Sequence, residues 1–100
     1  MYNPLLVTFL AVADCGSFTK AAEKLFITPT AVMKQMNALE NHMKLKLTER
    51  TPTGIRLTKA GAVIYRDTKF IMDYSDKSVA AARAAARNGG YNTAKKAVGA

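Results

Sequence analysis

The first regular pattern of apolar positions runs Leu6, Phe9, Leu10 and Ala13, a spacing of three and four that marks one helical face. Pro4 suits the first turn of that helix, and Gly16 suits its stop. Ser17 follows as an N-cap candidate whose hydroxyl can accept a free backbone N–H. Phe18, Ala21, Ala22 and Leu25 then predict a second, short helix, with two alanines where another helix can cross closely. Thr28 is the next N-cap, and Pro29 fits the first helical position, where its missing N–H costs nothing. The third helix, 29–43, is expected to bury Val32, Met36, Leu39 and Met43 and to turn Thr30, Met33, Lys34, Asn37 and Asn41 outward. With one or two residues between them, helices two and three must meet at a sharp angle, a helix-turn-helix over about residues 18–37.

Beyond Met43 the period changes. Leu45 and Leu47 alternate with Lys46 and Thr48, Ile55 and Leu57 flank Arg56, and the turn-rich Thr51-Pro52-Thr53-Gly54 lies between. That predicts a small two-stranded hairpin, or wing. Thr58 caps a fourth segment that runs without proline to about Asn88 and carries Val63, Ile64, Phe70, Ile71 and Tyr74. Thirty helical residues extend about 45 Å, too far to pack wholly on so small a domain. Pairing with another chain is therefore expected. The end, NGGYNTAKKAVGA, opens on a Gly-Gly stop and reads as a hinge or frayed tail. The fold predicted is mainly α: a winged helix-turn-helix over 1–58, a dimerisation or linker helix over 59–88, and a tail over 89–100.

Charge narrows the partner. The 100 residues hold 15 Lys and Arg against 7 Asp and Glu, a net charge of +8, which favours a polyanion, either nucleic acid or an anionic membrane. Residues 20–59 alone carry eight basic and three acidic side chains, so the surplus gathers around the helix-turn-helix. The single cysteine, Cys15, cannot form an internal disulfide and reads as a small apolar residue in a reduced compartment. The run LLVTFLAVADC lacks the basic flank of a secretory signal, and no apolar run reaches the ~20 residues of a membrane span. A soluble, cytoplasmic protein with no membrane association is expected. Chemistry is thinly represented. His42 has no Cys in zinc spacing, there is no Gly-rich phosphate loop and no nucleophile–histidine set, and Asp73 and Asp76 read as a solvated helix face. No metal, cofactor or enzymatic activity is expected.

The ordered set of elements resembles the DNA-binding domain of LysR-type transcriptional regulators. The residues that carry the likeness are Leu6 and Phe9, Gly16-Ser17-Phe18-Thr19, Ala21-Ala22 with Leu25, Ile27-Thr28-Pro29-Thr30-Ala31-Val32, Gln35, Leu39-Glu40, Leu47, Arg50, and Leu57-Thr58 with Ala60-Gly61. The likeness covers roughly residues 3–88. Three positions depart from the family pattern: Met33 for Ser, Lys44 for Gly and Thr48 for Phe. A left-handed Lys costs about 1 kcal/mol relative to Gly, so a different end to the third helix is expected. Losing the Phe questions the packing of the wing.

The resemblance implies a bacterial regulator that binds double-stranded DNA, with the third helix in the major groove and the wing in the minor groove. It also implies a homodimer through the linker helix (Val63, Ile64, Phe70, Ile71, Tyr74) on a partly symmetric operator. An inducer would act only through an effector domain that this sequence lacks, so a fragment cut near the hinge is expected, or else a naturally short DNA-binding protein. The reading set is Thr30, Met33, Lys34 and Asn37, able to reach base edges or a thymine methyl. Ser17, Thr19, Lys20, Thr28 and Pro29 at two helix starts, and Arg50, Thr53 and Arg56 on the wing, are the backbone or minor-groove set. Arg50 can instead brace the fold. Two alternatives stay open, a winged-helix module that binds proteins and one that binds RNA.

Overall fold

Side-chain caps and left-handed turns set the element boundaries of the computed structural model, which describes residues 3–88. In chain order these are α1 (Leu5–Cys15), α2 (Phe18–Leu25), α3 (Pro29–Met43), β1 (Thr48–Thr51), β2 (Gly54–Leu57) and α4 (Lys59–Asn88). Gly16 closes α1 in the left-handed region. Ser17 Oγ accepts the Lys20 N–H at 3.2 Å to open α2, and Thr28 Oγ1 accepts the Ala31 N–H at 3.0 Å to open α3. The predicted hinge and tail, 89–100, lie outside the described residues.

Several expectations need correction. Three residues, Phe26, Ile27 and Thr28, separate α2 from α3 rather than one or two. Phe26 takes a left-handed conformation (φ 58°, ψ 40°), and the Ile27 N–H reaches back to the Ala22 carbonyl at 3.1 Å. Lys44 also adopts the left-handed region (φ 56°), so α3 ends as a Gly-capped helix would despite its Lys. The Lys44 and Leu45 N–H groups both turn back to the Glu40 carbonyl, which offsets the steric cost. On α1 the buried set is Thr8 to Val12, with Leu6 and Ala13 only half-buried. Met43 is half-buried and Glu40 takes its place in the stripe. Leu45 is exposed and β1 begins only at Thr48.

The chain divides into two compact units, Met1–Thr68 and Lys69–Ala100. In the first, α1, α2 and α3 pack on one another around the fully buried Phe9, Val12, Val32, Met36, Leu39 and Leu47. Ala21 and Ala22 are buried as well, so their small size permits the close crossing. Thr8 Oγ1 donates to Gln35 Oε1, a polar tie between α1 and α3. β1 and β2 form an antiparallel pair in the register Thr48↔Leu57, Glu49↔Arg56, Arg50↔Ile55 and Thr51↔Gly54, with Pro52 and Thr53 at the tip. The Ile55 N–H donates to the Gly16 carbonyl at 3.0 Å, which anchors the wing to the α1–α2 turn. Gly54 (φ 146°) permits this approach, because a Cβ there would stand 2.5 Å from the Gly16 carbonyl oxygen. At the start of α4, Thr58 Oγ1 accepts the Gly61 N–H at 3.0 Å, and a Cβ on Gly61 would fall 1.9 Å from the Leu47 carbonyl oxygen. Tyr65 Oη donates to Asp14 Oδ1 at 2.5 Å, a bond that raises the phenol's pKa, with burial and the carboxylate charge acting in the same direction.

The second unit, taken by itself, is helical as far as Asn88 and leaves Phe70, Ile71, Tyr74 and Val79 exposed. Phe70 and Tyr74 place their ring centroids 6.3 Å apart, and Lys77 pairs with Asp73 at 3.1 Å. Among the described residues no helix is long and apolar enough to cross a membrane.

Candidate nucleic-acid interface

α3 has two faces with different compositions. Val32, Met36, Leu39 and Glu40 are buried, whereas Thr30, Met33, Lys34 and Asn37 are exposed. The period of 3.6 residues explains the division, since the buried positions recur at intervals of three and four. The exposed set offers a cation, an amide, a hydroxyl and a thioether, with no carboxylate among them. Those groups match the donors and apolar contacts by which side chains address base edges. Thr19 and Lys20 are exposed in the first turn of α2, next to the half-buried cap Ser17. Thr28 and Pro29 are exposed at the start of α3.

The wing residues are less alike than the sequence suggests. The Arg50 guanidinium lies over the Phe18 ring, 5.4 Å from its centroid, so Arg50 joins the wing to α2 by a cation–π contact. That geometry favours the bracing role. Thr53 is exposed at the tip, its hydroxyl 3.4 Å from that of Thr51. Arg56 is exposed, but its Nε donates to Glu49 Oε1 at 2.6 Å across the strand pair. Between α3 and the wing lies a cleft of about 360 Å³, lined by Met33, Asn37, Thr48, Glu49, Arg50 and Ile55 among others. Thr48 is thus small where the family pattern has Phe, and it is nevertheless buried.

Glu40 holds this arrangement together. Its Oε2 accepts the Leu47 N–H at 2.7 Å and the Thr48 N–H at 3.3 Å, and Lys46 Nζ stands 3.5 Å from Oε1. A buried carboxylate is costly unless it is hydrogen-bonded, and here two backbone donors and a cation satisfy it. The carboxylate therefore ties the start of the wing to α3 through main-chain atoms. Sequence reading missed this role, although Glu40 follows Val32 and Met36 at intervals of four. It also missed Phe26, which is 95% exposed at the turn of the motif. The proposed pairing residues on α4 are Val63, Phe70, Ile71 and Tyr74, all exposed, and Ile64, half-buried. Among the described residues no group of His, Cys, Asp or Glu is placed to hold a metal ion.

Residues 4–62 match the profile of a family described as bacterial regulatory helix-turn-helix protein, lysR family. The HTH-type transcriptional regulator TcbR of Pseudomonas sp. (strain P51) is 38% identical over 79 residues, which are 79% of this chain and 27% of TcbR. The chain thus spans about a quarter of the length of that curated relative. Among solved structures, a complex of the CbnR DNA-binding domain with DNA superposes with a TM-score of 0.76 at 36% identity, covering 86% of this chain and 99% of that one. A complex of the BenM DNA-binding domain with benA site 1 DNA gives 0.80 at 30% identity, covering 88% and 99%.

Proposed function

Because the chain belongs to the lysR family of bacterial regulatory helix-turn-helix proteins, we propose that it is the DNA-reading part of a transcriptional regulator. The observation that carries this reading is the exposed face of α3, where Thr30, Met33, Lys34 and Asn37 stand together without an acidic neighbour among them. Entering the major groove, Lys34 reaches a guanine edge or a phosphate, Asn37 and Thr30 hydrogen-bond to bases or backbone, and Met33 meets a thymine methyl. Ser17, Thr19, Lys20, Thr28 and Pro29 sit at helix starts and set the register on phosphates. Thr53 and Arg56 follow the flanking minor groove, and Arg50 holds the wing in place for them.

In this reading Val63, Ile64, Phe70, Ile71 and Tyr74 pair α4 with α4 of a second copy. Two reading helices then address two half-sites of a partly symmetric operator. The protein works in the cytoplasm without catalysis, and an inducer acts through an effector region outside these 100 residues. One observation favours a second reading. Phe26 is an exposed aromatic beside the reading helix, the kind of platform on which unpaired RNA bases stack.

One experiment separates the two. Duplexes bound by the chain are selected from a random pool, and the recovered site is compared with a scrambled duplex and with matched single-stranded RNA. The expected result is a recovered sequence with two-fold character that outcompetes both. Equal binding to all three polymers, or a preference for RNA, would overturn the DNA reading.

A further inference from the structure

The wing presents an exposed cation, Arg56, already paired. Glu49 and Arg56 face each other in register across β1 and β2, Nε to Oε1 at 2.6 Å, with 48% and 70% of their side chains accessible. Glu49 is also among the residues that line the cleft with Met33 and Asn37, so its place on β1 is at the side of the wing that borders α3. A wing built only for phosphate attraction gains nothing from a carboxylate there, because it repels the same phosphates. From this placement we infer that Glu49 is a specificity-determining residue, an internal counterion that keeps Arg56 from gripping DNA indiscriminately. The inference rests on the wing contacting DNA, as in the function proposed above.

The physical basis is a difference in range. Seen from beyond a Debye length, about 8–10 Å at ordinary salt, the pair is close to neutral and draws no polyanion. Loose complexes on random DNA are held by that general attraction and by counterion release, and Arg56 adds little to either while Glu49 holds it. Exposed ion pairs are weak, so separation is cheap once the docked α3 brings the guanidinium directly against the duplex. Glu49 therefore lowers affinity mostly on wrong sites and widens the gap between right and wrong.

The test uses the 100-residue chain as wild type, Glu49→Gln, Arg56→Ala and the double variant, on a selected and a scrambled duplex, across a salt titration. Glu49 is half exposed, so melting curves of the variants should overlay the wild type. Glu49→Gln should tighten the scrambled duplex about tenfold at low salt and the selected duplex about threefold, with the scrambled slope of log affinity on log salt steeper by about 0.9. In the Arg56→Ala background the same substitution should leave that slope unchanged. An equal gain on both duplexes, or an undiminished gain without Arg56, would overturn the inference and leave simple charge repulsion. Wild-type chain that binds neither duplex in a salt-dependent way would instead sink the DNA reading on which it rests.

Discussion

Phe9 and Phe70 are the same side chain on two regular helices, yet Phe9 has no accessible surface and Phe70 is 69% exposed. Around Phe9 the first unit gathers Val12, Val32, Met36, Leu39 and Leu47 into one core. Around Phe70 the second unit leaves Ile71, Tyr74 and Val79 open as well. A run of large apolar side chains at helical spacing thus has two possible meanings, and periodicity alone does not separate them. Where short helices fold back on one another, the run becomes a core. Where one helix continues for 30 residues, the run is a surface that a second chain can cover.

The largest expected effect breaks this comparison directly. Phe9→Ala should lower the unfolding free energy by about 3–5 kcal/mol, because it empties a fully packed site. Phe70→Ala should leave the stability of the monomer within about 0.5 kcal/mol and weaken self-association. Chemical denaturation checks the first statement and sedimentation equilibrium the second. A Phe70→Ala chain as destabilised as Phe9→Ala would place Phe70 in a core and end the pairing account.

A smaller effect belongs to Glu40. Glu40→Ala leaves the Leu47 and Thr48 N–H groups without their acceptor and should cost about 1–3 kcal/mol. Amide exchange should quicken at Leu47 and Thr48 while the amides of α1 change only with global stability. Uniform loss of protection would show that the carboxylate has no local role at the wing.

Phe26 gives the smallest effect, and its sign is opposite. Since the ring is exposed and the backbone is left-handed, Phe26→Asn removes strain without removing packing, and should stabilise the fold by about 0.5–1 kcal/mol. Loss of stability on thermal melting would mean that Phe26 has packing not visible in its exposure. If the same variant also loses affinity for single-stranded RNA but not for duplex, the stacking alternative gains support.

What was legible in the sequence follows the same division. Thr28 and Pro29 place the start of α3, and Val32, Met36 and Leu39 identify its buried face, because capping and periodicity are local rules. The Glu49↔Arg56 pairing was within reach too, since a two-residue tip at Pro52 and Thr53 fixes the register back to it. Glu40 was not. A carboxylate in an apolar stripe makes sense only once the bend after Lys44 brings two free N–H groups back to it. Phe26 was hidden for a related reason, and the expectation at Lys44 failed for it, because the tertiary path demanded left-handed turns at positions that local preference would have given to glycine.

The central claim of the proposed function is that the exposed face of α3 reads base edges, while the helix starts of α2 and α3 set the register on phosphate. Lys34 tests it most directly, being the cation in the middle of the exposed face. Wild type and Lys34→Ala should be titrated onto a selected duplex and a scrambled one of equal length at several salt concentrations. A base contact predicts a loss of about 1–3 kcal/mol on the selected duplex that exceeds the loss on the scrambled one. Wild-type affinity for both should fall with salt. Equal, salt-insensitive binding by both proteins to both duplexes would contradict the account.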